Sequence, residues 1–310
     1  MKKLSFFLVV LILTTCKVEK KVLLQLNFKE GKHYGLLMTT DQKISQEIQG
    51  QKMELDQTMK IGLDFNVVRV LDNGDAEIEV TYKRTGYRFY NPMIGTFEYD
   101  SDNPPAKIPP PALGFAALIG KGFTIVISPK GEVRELRGLD QMLAQVLNDL
   151  DLPPQAANAR EQIVAALKKQ FGDDATKEML GQTFNIFPPD SIPIGGTWRK
   201  RIEMRSVYPM VIDARYTLQS IKENEAHISL SAEIGSNPKT SPLTFGGMSM
   251  EYQFSGKMEG ELVLDLESGL TKSGRTNQVF SGEMKITGGP SGKPTAVPIK
   301  IEGTTRFEPL

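Results

Sequence analysis

The feature that most constrains this chain is a period of two that starts at Val22 and returns through most of its length. Leu24, Leu26 and Phe28 share one parity, as do Ile61, Leu63, Phe65 and Val67. Successive side chains of a strand point to opposite faces, so this alternation predicts half-buried β-strands. Val68 and Val70 continue on the other parity, which predicts a bulge near Val67-Val68. Asp72-Asn73-Gly74-Asp75 then supplies a hairpin turn, because Asn-Gly accepts the positive φ values that tight hairpins need. Ala76, Ile78, Val80 and Tyr82 form the returning face. The same design recurs at Ile228, Leu230, Ala232 and Ile234, at Met248, Met250, Tyr252 and Phe254, and at Leu262, Leu264 and Leu266. It runs on through Phe280, Met284 and Ile286 to Val297, Ile299 and Ile301. Gln253, Ser255, Lys257, Glu259 and Glu261 occupy the opposite parity, so the expected sheet is antiparallel with one wet side.

Two stretches break the period. Residues 101–111 carry Pro104-Pro105 and Pro109-Pro110-Pro111 and read as an extended loop, since proline lacks a backbone donor. From residue 139 to 181 the period shifts towards 3.6. Leu139, Met142, Leu143, Val146, Leu147 and Leu150 lie on one helical stripe that Pro153-Pro154 ends. Ile163, Val164, Leu167 and Phe171 mark a second helix, and Gly172-Asp173-Asp174 offers a stop and a fresh cap for a third. On either side of this insert the β pattern repeats in order. Gly31-Lys32-His33-Tyr34 answers Gly196-Thr197-Trp198, and the hairpin at Asn73-Gly74 answers one at Glu223-Asn224. A strand-turn-strand unit around Gly131 answers another around Gly269.

The N-terminus is of a different kind. Lys2-Lys3 precedes an apolar run from Phe6 to Leu13, too short for a bilayer span of about 20 residues but suited to a secretory signal. Leu13-Thr14-Thr15-Cys16 resembles a bacterial lipobox, with Thr15 where Gly, Ala or Ser is usual. The resemblance implies that Cys16, the sole cysteine, is lipidated and becomes the new N-terminus. Two or three acyl chains hold a protein on a membrane stably, at about 0.8 kcal/mol per buried CH₂. Lys17 occupies the place where an aspartate would resemble an inner-membrane retention signal, which leans towards the outer membrane. The lipobox, Gly196-Thr197-Trp198 after Pro193-Ile194, and the two strand-turn-strand units together resemble uncharacterised bacterial envelope lipoproteins classed as domains of unknown function. That resemblance spans most of residues 22–308 and implies no known activity.

The expectation is therefore a mainly β (α+β) chain with long antiparallel strands in two similar curved-sheet units and a helical insert at about 139–181. Residues 1–15 read as the signal peptide and 16–21 as the lipidated cysteine with a short tether. The first β unit covers 22–138, the insert 139–181 and the second β unit 182–310. With 37 basic and 37 acidic residues the chain lacks the positive excess of a nucleic-acid binder. Loss of residues 1–15 leaves 35 against 37.

Nothing in the pattern selects a catalytic, metal or cofactor site. His33 and His227 fall at unmatched places in the repeat, and a single cysteine with two histidines does not build a metal centre. Glu77 and Glu79 alternate with Ile78 and Val80, so they read as a solvated strand face. Gly246-Gly247 and Gly288-Gly289 lack the lysine and helix start of a phosphate cradle. Methionine fills irregular apolar space, which makes Met248, Met250, Tyr252, Phe254, Leu262, Leu264 and Leu266 the candidate lining of an apolar cavity. The functional expectation is a non-enzymatic, lipid-anchored envelope protein, bound to the membrane through its lipid, that takes an apolar ligand or lipidated partner in the sheet. The alternatives are an assembly lipoprotein that binds another envelope protein and, more weakly, a carboxylate-based hydrolase.

Overall fold

The alternating stretches form long strands, and their order in space follows the chain closely. The computed structural model describes residues 20–48, 50–150, 167–168, 171–205, 208–240, 242–245, 248–288 and 294–310. The expected signal peptide, Cys16, and the helix start at Ile163 and Val164 lie outside the described residues.

The strands are β1 (Lys21–Val22), β2 (His33–Ile48), β3 (Gln51–Val70), β4 (Ala76–Asn91), β5 (Gly95–Asp100), β6 (Gly122–Ile127), β7 (Val133–Arg137) and β8 (Ile192–Pro193). They continue with β9 (Thr197–Met204), β10 (Met210–Lys222), β11 (Glu225–Ser236), β12 (Leu243–Phe245), β13 (Met248–Asp265), β14 (Thr271–Thr287) and β15 (Thr295–Glu308). Among the described residues, thirteen of them form one antiparallel sheet in the order β7-β6-β4-β3-β2-β15-β14-β13-β11-β10-β9, with β5 beside β4 and β12 beside β13. β1 and β8 make a separate pair. The alternation does not foretell that β15 pairs with β2, for example Ile301 opposite Ile44, which joins the two halves into a single sheet.

The inner face carries the core. Leu63, Phe65, Ile78, Val80, Tyr82 and Ile125 are fully buried there, and so are Leu218, Ala226, Ile301 and Leu264. Each large apolar side chain so buried contributes about 1.5–3 kcal/mol relative to exposure. The outer face stays wet, with Gln253, Ser255, Lys257, Glu259 and Glu261 all exposed.

Among the described residues, three helices cover part of the inner face: α1 (Leu113–Leu118), α2 (Leu139–Asp149) and α3 (Asp173–Phe184). In α2 the expected stripe is buried at Leu139, Met142, Leu143 and Val146. α3 begins after Gly172 with no side-chain cap bond, so Asp173 and Asp174 act on the positive helix end through its dipole. α1 grows from a 3₁₀ turn at Pro110–Ala112, within the stretch expected to be loop. Proline is tolerated in a first helical turn because the donor it lacks has no partner there. α3 touches both β7 and β9, the outermost strands, so the sheet bends round until its two edges flank one helix.

The segment Leu24–Phe28 corrects a detail of the sequence reading. Leu24, Leu26 and Phe28 are buried as their alternation requires, but the backbone joins no ladder beyond Val22. Leu26 N–H donates to the Pro129 carbonyl at 2.7 Å and Asn27 N–H to the Ser268 carbonyl at 2.8 Å. This strap therefore ties the turn between β6 and β7 to the turn between β13 and β14.

Candidate functional site

The end of the sheet that holds this strap is its base. There the two halves use one bonding scheme. Gly31 N–H donates to Val67 O (2.8 Å) and Val67 N–H to Lys32 O (3.0 Å); Gly195 N–H donates to Leu218 O (2.7 Å) and Leu218 N–H to Gly196 O (3.0 Å). One residue further on, each partner strand bulges, between Val67 and Arg69 and between Leu218 and Ser220. The β6–β7 and β13–β14 hairpins also slip register at matching places, Val126/Ile127 and Val263/Leu264. Gly131 and Gly269 close those hairpins with φ of 81° and 78°. The turn at Gly74 (φ 85°) is answered by Glu223 and Asn224, which adopt φ of 47° and 67° without a glycine.

Where α3 ends against the base, two lysines are half-buried. Lys130 Nζ donates to Pro188 O at 2.9 Å and Lys200 Nζ to Asn185 Oδ1 at 2.9 Å. Burial holds both ammonium groups below the usual lysine range, opposed at Lys200 by Glu132 and at Lys130 by Asp190. The sequence does not single out either lysine, since each sits in an ordinary polar context. Trp198 Nε1 donates to Ile186 O at 2.7 Å while its ring stacks on Tyr216 at 5.4 Å, and burial pushes the Tyr216 hydroxyl up to about 12. These groups pin the end of α3 to β9.

Away from the base the inner face changes character. The register aligns Met59, Thr40, Thr305 and Thr276 in one row and Gln57, Gln42, Gly303 and Gln278 in the next. Thr40 and Thr305 share a hydrogen bond at 3.1 Å. Around this polar belt Tyr87, Met59, Met38, Leu55, Met258 and Tyr252 are only partly buried, although they pack against the core on the same face. Beyond the belt Tyr208 folds over the inner face, with its ring 6.0 Å from Phe254 and 6.1 Å from Phe280, and burial pushes its hydroxyl up to about 12.

The seven residues expected to line an apolar cavity fall into two groups. Phe254, Leu262 and Leu264 are buried among other core side chains. Met248, Met250, Tyr252 and Leu266 are half-buried, the first three towards the end of the sheet far from the base. Sequence reasoning missed Met38 and Met59 as members of the same wall as Met258, because the pairing of β15 with β2 that brings them together is not local. A cavity of about 440 Å³ instead opens on the outer face, lined by Asp41, Lys43, Asp56, Thr58, Arg88 and Glu302 among others. Its charges are met within the strands, as in Thr58 to Asp41 (2.8 Å), Arg306 to Asp41 (2.7 Å) and Lys43 to Glu54 (2.8 Å).

His33 is exposed and pairs with Asp64 at 3.0 Å, and His227 lies 3.9 Å from Glu225. Asp75 is buried and binds Asn73 Nδ2 at 3.0 Å, so it fixes the turn. Glu77 is held below the usual carboxylate range by its hydrogen bond to Arg69, with Arg137 helping against burial. Among the described residues no group of three or more His, Cys, Asp or Glu side chains converges as for a metal ion, and no helix is long and apolar enough to cross a membrane.

A sequence profile described as a family of unknown function, DUF6263, matches residues 73–271, more than half of the chain. The chain belongs to that family. The match begins in the β3–β4 turn and ends at the start of β14, so the DUF6263 segment takes in α1, α2 and α3. No curated protein matches. Among solved structures, DynF from the dynemicin biosynthesis pathway of Micromonospora chersina is similar at 6% identity over 93% of this chain and 85% of that one, with a TM-score of 0.22. Pseudomonas aeruginosa OccK2 (OpdF), in complex with glucuronate, is similar at 6% identity over 92% of this chain and 100% of its own, with a TM-score of 0.19. P. aeruginosa OccK11 (OpdR) follows at 8% identity, 93% and 100% coverage and a TM-score of 0.16. Overlap this low bears on neither the fold nor the ligand of the DUF6263 chain.

Proposed function

We propose that this DUF6263 member is a lipid-anchored protein of the bacterial cell envelope, non-enzymatic, that holds an apolar ligand or the acyl part of a lipidated partner against the inner face of its sheet. The observation that carries the reading is the wall of partly uncovered side chains, Tyr87, Met59, Met38, Leu55, Met258 and Tyr252, on the same face as the core. Methionine adapts its shape to flexible chains, and the adjoining threonines and glutamines offer hydrogen bonds to an ester or headgroup. Attachment through acylated Cys16, at the outer membrane, rests on the lipobox.

Native mass spectrometry tests the ligand. The mature chain carrying Cys16→Ser is expected to copurify with a lipid-sized added mass, and Met59→Glu with Met258→Glu is expected to remove it. A clean apo mass in repeated preparations sinks the reading.

A second reading, an assembly protein that docks another envelope protein, is favoured by the β4–β5 hairpin tip. Met93 and Ile94 are 79% and 62% exposed there, and Asn91 Oδ1 accepts both backbone N–H groups (2.8 and 3.3 Å). The core leaves both side chains largely uncovered. Loss of a crosslinked partner in a Met93→Ser, Ile94→Ser chain, with the lipid mass retained, selects this reading over the first.

A further inference from the structure

We propose that the base of the sheet is the surface that rests on the bilayer, with Leu23 and Ile194 entering the headgroup layer and Lys20 and Lys21 meeting anionic lipid phosphates. The proposal rests on the lipid-anchor reading and adds to it an orientation. Four observations converge. First, the anchor is close: three residues separate Cys16 from Lys20, and the four steps between them span at most about 14 Å even when extended. Second, the chain has no slack after that. Lys21 and Val22 pair with Pro193 and Ile192, and the strap that follows is buried at Leu24, Leu26 and Phe28 and bonded to Pro129 and Ser268. An acyl chain on Cys16 is therefore joined to the ordered base within that length.

Third, the base shows apolar side chains where the anchor arrives. Leu23 follows the paired Val22 and is 48% exposed; Ile194 follows the paired Pro193 and is 55% exposed. Both flank one two-stranded ladder, and packing within the fold uses neither fully. Fourth, the charge fits. In the sequence of the tether three lysines, Lys17, Lys20 and Lys21, stand against one acid, Glu19, and Asp190 beside the ladder is met by the charge of Lys130. Basic residues next to an acyl anchor supply the second signal that stable attachment to anionic lipid takes.

The geometry has a consequence for the rest of the molecule. β4 has 16 residues, so its far end stands about 50 Å from the base. The Met93-Ile94 tip then points away from the anchoring membrane, and the partly uncovered inner wall is reached from that side.

The test uses the full acylated chain in vesicles of phosphatidylethanolamine and phosphatidylglycerol. Acylation consumes the native thiol, so an introduced cysteine takes a fluorophore selectively. Labels at Ile194→Cys and, as a second base site, Leu23→Cys are expected to be quenched by brominated lipid at least threefold more than a label at Met93→Cys. Replacing Lys20 and Lys21 with glutamate is expected to reduce quenching at Ile194 at least twofold. Equal quenching at the two ends, or more at Met93, overturns the orientation while the chain remains bound. Pelleting of Cys16→Ser beside the parent reads the anchor separately, and undiminished pelleting of the variant removes the anchor reading and the orientation together.

Discussion

The two ends of the repeated scheme share their backbone bonds and differ in what covers them. In the first half, the β3–β4 and β6–β7 strands are roofed by helices: Phe65 meets Phe184 of α3 edge-on at 5.4 Å, and Tyr87 stacks on Phe115 of α1 at 4.9 Å. In the second half, no helix among the described residues packs extensively on β10, β11, β13 or β14. One aromatic side chain, Tyr208, closes on Tyr252, Phe254 and Phe280 instead. The bulges and the glycines at 131 and 269 match on the two sides, so they belong to the strand scaffold and not to its cover. Backbone geometry is the shared element, and side-chain packing is where the halves have diverged.

The largest test of that distinction is at the two turn glycines. A Cβ on Gly131 would meet the Phe184 carbonyl, and one on Gly269 the Gln25 carbonyl, both at positive φ. Gly131→Val and Gly269→Val are each expected to lose about 3 kcal/mol or more in chemical denaturation, from backbone strain and overpacking combined. A tolerant variant on one side breaks the equivalence of the two turns. The next effect is unequal between the halves. Trp198 and Tyr34 hold matching places, but Trp198 is buried and donates to Ile186, whereas Tyr34 is half-buried and meets Phe28 edge-on at 5.2 Å. Trp198→Ala is expected to cost about 3–5 kcal/mol and Tyr34→Ala about 1–2. Equal losses would mean that cover is shared as well as scaffold.

Local pattern carried a large part of this architecture and none of its long-range joins. Period-two alternation, the Asn73-Gly74 turn and the parity change at Val67-Val68 are short-range signals, and each corresponds to a strand, a hairpin or a bulge in place. The pairing of β15 with β2 depends on residues about 250 apart, and alternation cannot choose a partner strand. β5 and α1 were hidden for another reason: Gly95–Asp100 is short, and the proline run before α1 reads as loop although proline suits a first turn. The inner wall is legible only in part. Met248, Met250 and Tyr252 stand out as an alternating run, while Met38 and Met59 join them through the pairing of β15 with β2.

The smallest expected effect separates the halves by acid. Ser128 and Asp265 hold matching positions at the β6–β7 and β13–β14 turns, where their backbone N–H groups donate to Glu132 O and Leu270 O, both at 2.9 Å. Ser128 Oγ accepts the Glu132 N–H at 3.1 Å, a bond that does not titrate. Asp265 Oδ2 accepts both Ser268 Oγ (2.6 Å) and Ser268 N–H (2.9 Å). Burial alone would raise this carboxyl, but the Ser268 bonds, the Glu267 backbone N–H and the charge of Lys272 together outweigh burial and hold it below the ordinary aspartate value of 3.8. A carboxyl depressed in the folded state binds protons more readily when unfolded, so its contribution is present above pH about 4 and is lost as pH falls through the folded value. Solvent screening at this partly exposed site keeps the effect below about 1 kcal/mol. Amide exchange read from pH 5 to pH 3 is therefore expected to speed up, after correction for intrinsic rates, at Ser268–Leu270 and not at Gly131–Glu132. Asp265→Asn is expected to abolish that difference, and a variant that keeps it would assign the acid response to another carboxylate.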